Sequence, residues 1–197
     1  MSDDATPPAD AGAGQPEAWR QLLATFPPEG RALAAQALRA AAAAEGDYGF
    51  LGGLVNMREE PTGDGSATLT MEVTPNALNR YGRVHGGMLF TLADHAMGAA
   101  ARSLVGEGQG TVTLEAKVIY LSNVREGRLT ARCAALHRSS RLIMLETRIR
   151  ADDGDELLAI VTGTYYILPR AGAAGGRRAP GAGGGMRYPR PDRAGRT

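Results

Sequence analysis

One segment constrains this chain more than any other. From residue 86 to about 104, Phe90, Ala93, Met97, Ala100 and Leu104 recur at helical spacing, and Gly86, Gly87, Ala96, Gly98, Ala99 and Ala101 fill the positions between them with small side chains. A helix that is apolar around most of its circumference must be buried, and small residues let a second layer approach it closely. The surroundings read as strands. From Phe50 the hydrophobic period is two: Val55-Asn-Met57-Arg starts a first strand, the turn Pro61-Thr-Gly-Asp-Gly65 follows, and Ala67, Leu69, Met71 and Val73 alternate with polar neighbours in a second. After the helix, strands are expected at 111–121, 128–137, 141–151 and 157–168, parted by turn signals. Consecutive strands joined by short turns are mainly antiparallel. The economical solution is an α+β fold in which a six-stranded sheet wraps one long central helix.

The ends differ from this body. Residues 1–15 carry no hydrophobe larger than Ala after Met1 and read as a disordered N-terminus. Pro16 suits the first turn of a helix whose stripe is Trp19, Leu22, Leu23 and Phe26, ended by Pro27 and Pro28. An Ala-rich helix is expected over 31–45, with Leu33, Ala37, Leu38 and Ala41 on one side and Gly46 as cap. Its narrow stripe predicts docking onto a larger body. The organisation is then a disordered segment at 1–15, a helical extension at 16–46, the α+β domain at 47–168 and a Gly/Arg/Pro-rich disordered tail at 169–197. That tail holds seven arginines against Asp192, so a chain whose formal charge is only +1 divides into a cationic tail and an acidic body.

Several classes drop out. No apolar run reaches the roughly 18 residues of a membrane span, and the acidic, polar N-terminus is unlike a signal peptide, so a cytoplasmic protein off the membrane is expected. A single cysteine, Cys133, and three histidines at wide spacing (His85, His95, His137) make no metal pattern. The tail has only Tyr188 for stacking, which argues against nucleic acid as a partner. The use of 21 Arg to one Lys, Lys117, is explained by coding bias, since Ala and Gly are raised as well.

The chemistry concentrates between Asn79 and Asp94. Gly86 and Gly87 stand where a loop enters the helix, so their N–H groups point outward and favour developing negative charge; the plainer alternative is a tight turn. Asp94 falls four residues after Phe90 and three before Met97, on the stripe expected to be buried, where an unpaired carboxylate is costly. Burial would raise its pKa and prepare it as a base, unless it is a structural Asp paired with an arginine or an amide. Gly86 and Asp94 are eight residues apart, about 12 Å along a helix axis. If both act on one atom, they come from two protomers about a two-fold axis.

The stretch Leu78 to Asp94, with its pattern L-N-x5-H-G-G-x-L-F-x-L-A-D, resembles the hotdog-fold acyl-CoA thioesterases, in the subgroup of the phenylacetate-pathway enzyme. The resemblance extends from about residue 49 to 168 and includes Thr113 in the strand after the helix. It implies that Asp94 is the carboxylate that activates water or attacks the thioester carbon, and that the Gly86 amide polarises the carbonyl. Asn79 would orient substrate or water, His85 would stand beside the site, and Thr113 would position the water. The resemblance also implies a homodimer or a tetramer of dimers with sites between protomers, and acyl-CoA as substrate with no separate cofactor. In the hairpin tip after His137, Arg138 and Arg141 would contact the CoA phosphates, or else form a solvated basic turn. Tyr81, Met88, Leu89, Phe90 and Met97 are candidates for an acyl pocket. His95 is expected to pack or face solvent, and Cys133 to be inert core. The rival functions are a non-catalytic acyl-CoA-binding or regulatory hotdog module and a hotdog dehydratase or hydratase.

Overall fold

The computed structural model describes residues 16–43, 50–152 and 156–169. The segments expected to be disordered, 1–15 and all but the first residue of 169–197, and the expected cap Gly46 lie outside them. The chain divides into two compact units, one ending at Leu54 and one beginning at Val55.

The first unit consists of α1 (Pro16–Thr25), α2 (Pro28–Ala43) and α3 (Phe50–Leu54). Pro28 does more than end α1: it opens α2, where a missing N–H costs nothing. Trp19 and Leu22 of α1, and Phe26 just after it, are exposed. The expectation of period-two structure from Phe50 fails here, because 50–54 coils into α3. Gln36 donates its side-chain amide to the Leu54 carbonyl, which satisfies one of the orphan acceptors at that helix end.

In the second unit Asn56 adopts φ +56°, and the chain turns into a first strand shorter than expected, β1 (Met57–Glu59). Then follow β2 (Ser66–Glu72), a single 3-10 turn at Pro75–Ala77, α4 (Gly86–Arg102), β3 (Thr111–Tyr120), β4 (Arg128–Arg138), β5 (Leu142–Ala151) and β6 (Leu157–Ile167). These form one six-stranded sheet in the order β1-β2-β4-β5-β6-β3, antiparallel at every pairing. The strand that follows the helix therefore lies at the far edge, beside the last strand.

Alternation decides what faces α4. Ala67, Leu69 and Met71 of β2, Leu129, Ala131 and Cys133 of β4, Ile143, Leu145 and Ile149 of β5, and Val161 and Tyr165 of β6 are buried with Leu89, Leu92, Ala93, Ala96, Met97 and Ala100 of the helix. Burying each of the larger side chains stabilises the fold by roughly 1.5–3 kcal/mol. At Gly163 the helix and the neighbouring strand both approach closely: a Cβ there would lie 3.0 Å from Met97 Sδ and 3.2 Å from the Glu115 carbonyl oxygen. The buried face of α4 is thus centred on Ala93, Ala96, Met97 and Ala100. Phe90 and Leu104, expected inside, are only half-buried. Asp94 is half-buried as well, at the border of the core rather than on its stripe.

Candidate active site

The segment leading into α4 is pinned before the helix begins. Leu78 and Val84 form an isolated antiparallel bridge. Between them the Asn79 carboxamide oxygen accepts the N–H groups of Tyr81 at 2.9 Å and Arg83 at 3.3 Å, an Asx-type turn that Gly82 completes at φ +66°. Val84 is fully buried; its N–H reaches the Val124 carbonyl at 3.0 Å, and its own carbonyl accepts from Asn123 Nδ2 at 2.9 Å. The His85 N–H then closes on the Ala77 carbonyl at 2.8 Å.

His85 is the N-cap of α4, with an extended backbone (φ −65°, ψ 132°), and its Nδ1 accepts the Gly87 N–H at 2.9 Å. An accepting Nδ1 carries no proton, so the ring proton of the neutral imidazole belongs on Nε2. The His85 carbonyl accepts from Met88 at 2.8 Å. Of the two glycine amides expected to be open, only Gly86 N–H has no hydrogen-bond partner among the described residues. Tyr120, at the end of β3, lies over that position: its hydroxyl donates to the Gly86 carbonyl at 3.1 Å, and a Cβ on Gly86 would be 3.0 Å from the Tyr120 Cζ.

Two turns further along α4, the Asp94 carboxylate is held from the sheet. Thr113 Oγ1 donates to Asp94 Oδ1 at 3.1 Å, and Tyr165 Oη donates to the same oxygen at 2.6 Å. Thr113 and Tyr165 are direct partners across the β3–β6 ladder, so a single rung supplies both donors. Burial, and next the adjacent carboxylate, push the Tyr165 phenol well above its ordinary range. It therefore stays protonated and donates. Sequence reasoning missed Tyr165. The available signal was its inward phase on β6, because a buried tyrosine hydroxyl requires a partner.

The hairpin arginines lie at the same end of the sheet. Arg138 pairs with Ile143, Ile143 with Tyr165, and Tyr165 with Thr113, which makes one row across four strands. Partners directly opposite share a face, so Arg138 stands on the helix-bearing face, about 10 Å (two strand spacings) from Tyr165. A bulge between Ala135 and His137 brings it there by changing the phase of β4. Arg141, in the turn, accepts the Ile167 N–H on its carbonyl at 2.8 Å. His95 turns its Nδ1 to the Thr91 carbonyl at 3.0 Å, and His137 is exposed. Cys133 is buried, which pushes its thiol up to about 11. Among the described residues no group of three His, Cys, Asp or Glu could hold a metal ion, and no helix is long and apolar enough to cross a membrane.

A six-stranded antiparallel sheet curled against one long helix is the hotdog fold, and residues 81–158 match the model of the thioesterase superfamily. The chain belongs to that superfamily of thioester hydrolases. It is 32% identical over 126 residues to the PA1618 protein of Pseudomonas aeruginosa, an overlap of 64% of this chain and 86% of the relative. The crystal structure of a PA1618 variant, there called a thioesterase, superposes with a TM-score of 0.58 at 27% identity, covering 68% of this chain and 94% of that one. A 1,4-dihydroxy-2-naphthoyl-CoA hydrolase of Escherichia coli is 35% identical over 47% of this chain and 68% of its own length. The BH2602 protein of Bacillus halodurans, solved with CoA, superposes with a TM-score of 0.67 at 25% identity, covering 75% of this chain and 98% of that one.

Proposed function

We propose that this protein is an acyl-CoA thioesterase in which Asp94 supplies the attack on the thioester and the Gly86 amide stabilises the resulting oxyanion. The observation that carries this reading is the pairing of a carboxylate clamped on α4 with a single open amide at the same helix's N-terminus. The amide adds the helix dipole to an oriented donor, aimed where charge develops as the thioester carbon becomes tetrahedral. The carboxylate either removes a proton from the attacking water or itself bonds to the carbonyl carbon. In the second course CoA leaves as thiolate, and water then cleaves the mixed anhydride. Either course converts acyl-CoA and water into free acid and CoA.

The two groups are separated by eight helical residues, about 12 Å of rise, so one reacting carbon is reached by Gly86 of one protomer and Asp94 of the other. Support comes from the edge of the sheet. β3 is ten residues long, lacks a neighbour on one side among the described residues, and exposes Val112, Leu114, Ile119 and Tyr120. A long apolar edge of this kind is expected to be covered by a second strand, and a second copy would bring the two helices antiparallel. Asn79 and His85 shape the loop that presents the Gly86 amide. Thr113, while donating to Asp94, keeps its lone pairs for the attacking water. Arg138 and Arg141 hold CoA phosphates, as guanidinium forks do; the CoA bound by the Bacillus halodurans relative favours the same ligand class. The enzyme works as a dimer or a tetramer of dimers, in the cytoplasm, without metal.

Asp94→Asn tests the reading. Thiol release from benzoyl-CoA and hexanoyl-CoA is expected to fall by at least about a thousandfold with fold and oligomer unchanged. Wild-type turnover in that variant would overturn it, and tight binding of CoA esters by the unmodified protein without thiol release would point to a binding module.

A further inference from the structure

We propose that Tyr165 is a positioning residue: with Thr113 it occupies Asp94 Oδ1, fixes the carboxylate's rotamer and leaves Oδ2 as the only oxygen free to react. The proposal rests on the reading of Asp94 as the reacting carboxylate.

A carboxylate offers two chemically equivalent oxygens, and a reaction that needs one of them gains when the other is engaged. Here the asymmetry is built in. Oδ1 receives two donors, at 3.1 Å from Thr113 and 2.6 Å from Tyr165, whereas Oδ2 has no hydrogen-bond partner among the described residues. The Tyr165 distance is that of a short, charge-assisted O–H···O⁻ bond. Its hydroxyl also lies 2.9 Å from the Asp94 backbone carbonyl. The phenol has one proton, and the shorter contact assigns it to Oδ1. Only 3% of Tyr165 is exposed, so water does not replace that donor. The opposite rung partner, Thr113, is exposed and shorter, which suits it to exchange with water while the buried phenol holds.

The test is Tyr165→Phe, which keeps the ring in the core and removes the donor, assayed with benzoyl-CoA and hexanoyl-CoA. Expected is a fall in kcat of about ten- to a hundredfold, the loss of one hydrogen bond to a charged group, with KM within about twofold and oligomeric state retained. Residual activity separates positioning from packing: adding Tyr165→Phe to Asp94→Asn should cause no further loss, because Tyr165 acts through that carboxylate. A Tyr165→Phe protein with wild-type kcat overturns the inference, and so does an equal additional loss in the Asp94→Asn background. Should Asp94→Asn itself retain full activity, the reading of the site fails instead, and the single variants distinguish the two cases. Thr113→Val is the check from the other side of the rung. Its kcat should also fall, and the double Thr113→Val/Tyr165→Phe variant should lose more than either.

Discussion

His85 Nδ1 accepts the Gly87 N–H at 2.9 Å, and this one bond determines which amide is left open at the head of α4. Histidine is an uncommon N-cap, yet its ring nitrogen does here what a Ser or Asp oxygen usually does. His85→Ala is expected to destabilise the fold by ~1 kcal/mol through loss of the cap. His85→Asn should recover most of that in a thermal melt.

Gly86→Pro removes the open N–H without breaking the helix. Proline is at home at the first helical position, and His85, at ψ 132°, already has the conformation that a following proline requires. Gly86→Ala keeps the N–H but introduces the same crowding against Tyr120, an exposed ring able to shift. Circular dichroism should be alike for the two. Thiol release should fall by about a hundred- to a thousandfold for proline and by far less for alanine.

A site shared between protomers makes inactive variants complementary. Mixing Asp94→Asn with Gly86→Pro protein and allowing subunit exchange should restore about a quarter of wild-type activity, because half the dimers are mixed and each holds one intact site of two. No recovery after exchange is verified by mass spectrometry would refute the shared site.

The row from Arg138 to Thr113 predicts a division between binding and chemistry. Arg138→Ala and Arg141→Ala should each raise KM for acyl-CoA about three- to tenfold with kcat little changed, as expected for uniform binding of phosphate. With an acyl-N-acetylcysteamine, which lacks the nucleotide, the same variants should match wild type.

Alkaline pH should weaken the fold through Cys133. Its thiol is held at about 11 in the native state against 9.0 in the unfolded chain, so above pH 9 the unfolded state releases its proton first. Stability is then expected to decline by up to ~3 kcal/mol between pH 9 and 11, measured by urea denaturation, and Cys133→Ser should flatten that limb. Tyr165, raised for the same reason of burial, adds to the decline at still higher pH.

The order of the six strands and the long helix among them, the burial of that helix and the positions of five of the six strands follow from hydrophobic period and turn residues alone. So does the grouping of the candidate site residues Asn79, His85, Gly86 and Asp94 in the loop before α4 and its first half, because they lie within sixteen consecutive residues. The length of β1, the coiling of 50–54 and the border position of Asp94 needed the structure. Two further features are tertiary altogether. The rung that joins Thr113 to Tyr165 depends on strand register, and Tyr165 reaches an aspartate 71 positions away. Arg138 faces the helix side only because the bulge at Ala135 and His137 reverses its phase. Periodicity and turn chemistry act over a few residues and can be read along the chain. Register and bulges are settled by the simultaneous packing of six strands on one helix, and no local pattern carries that information.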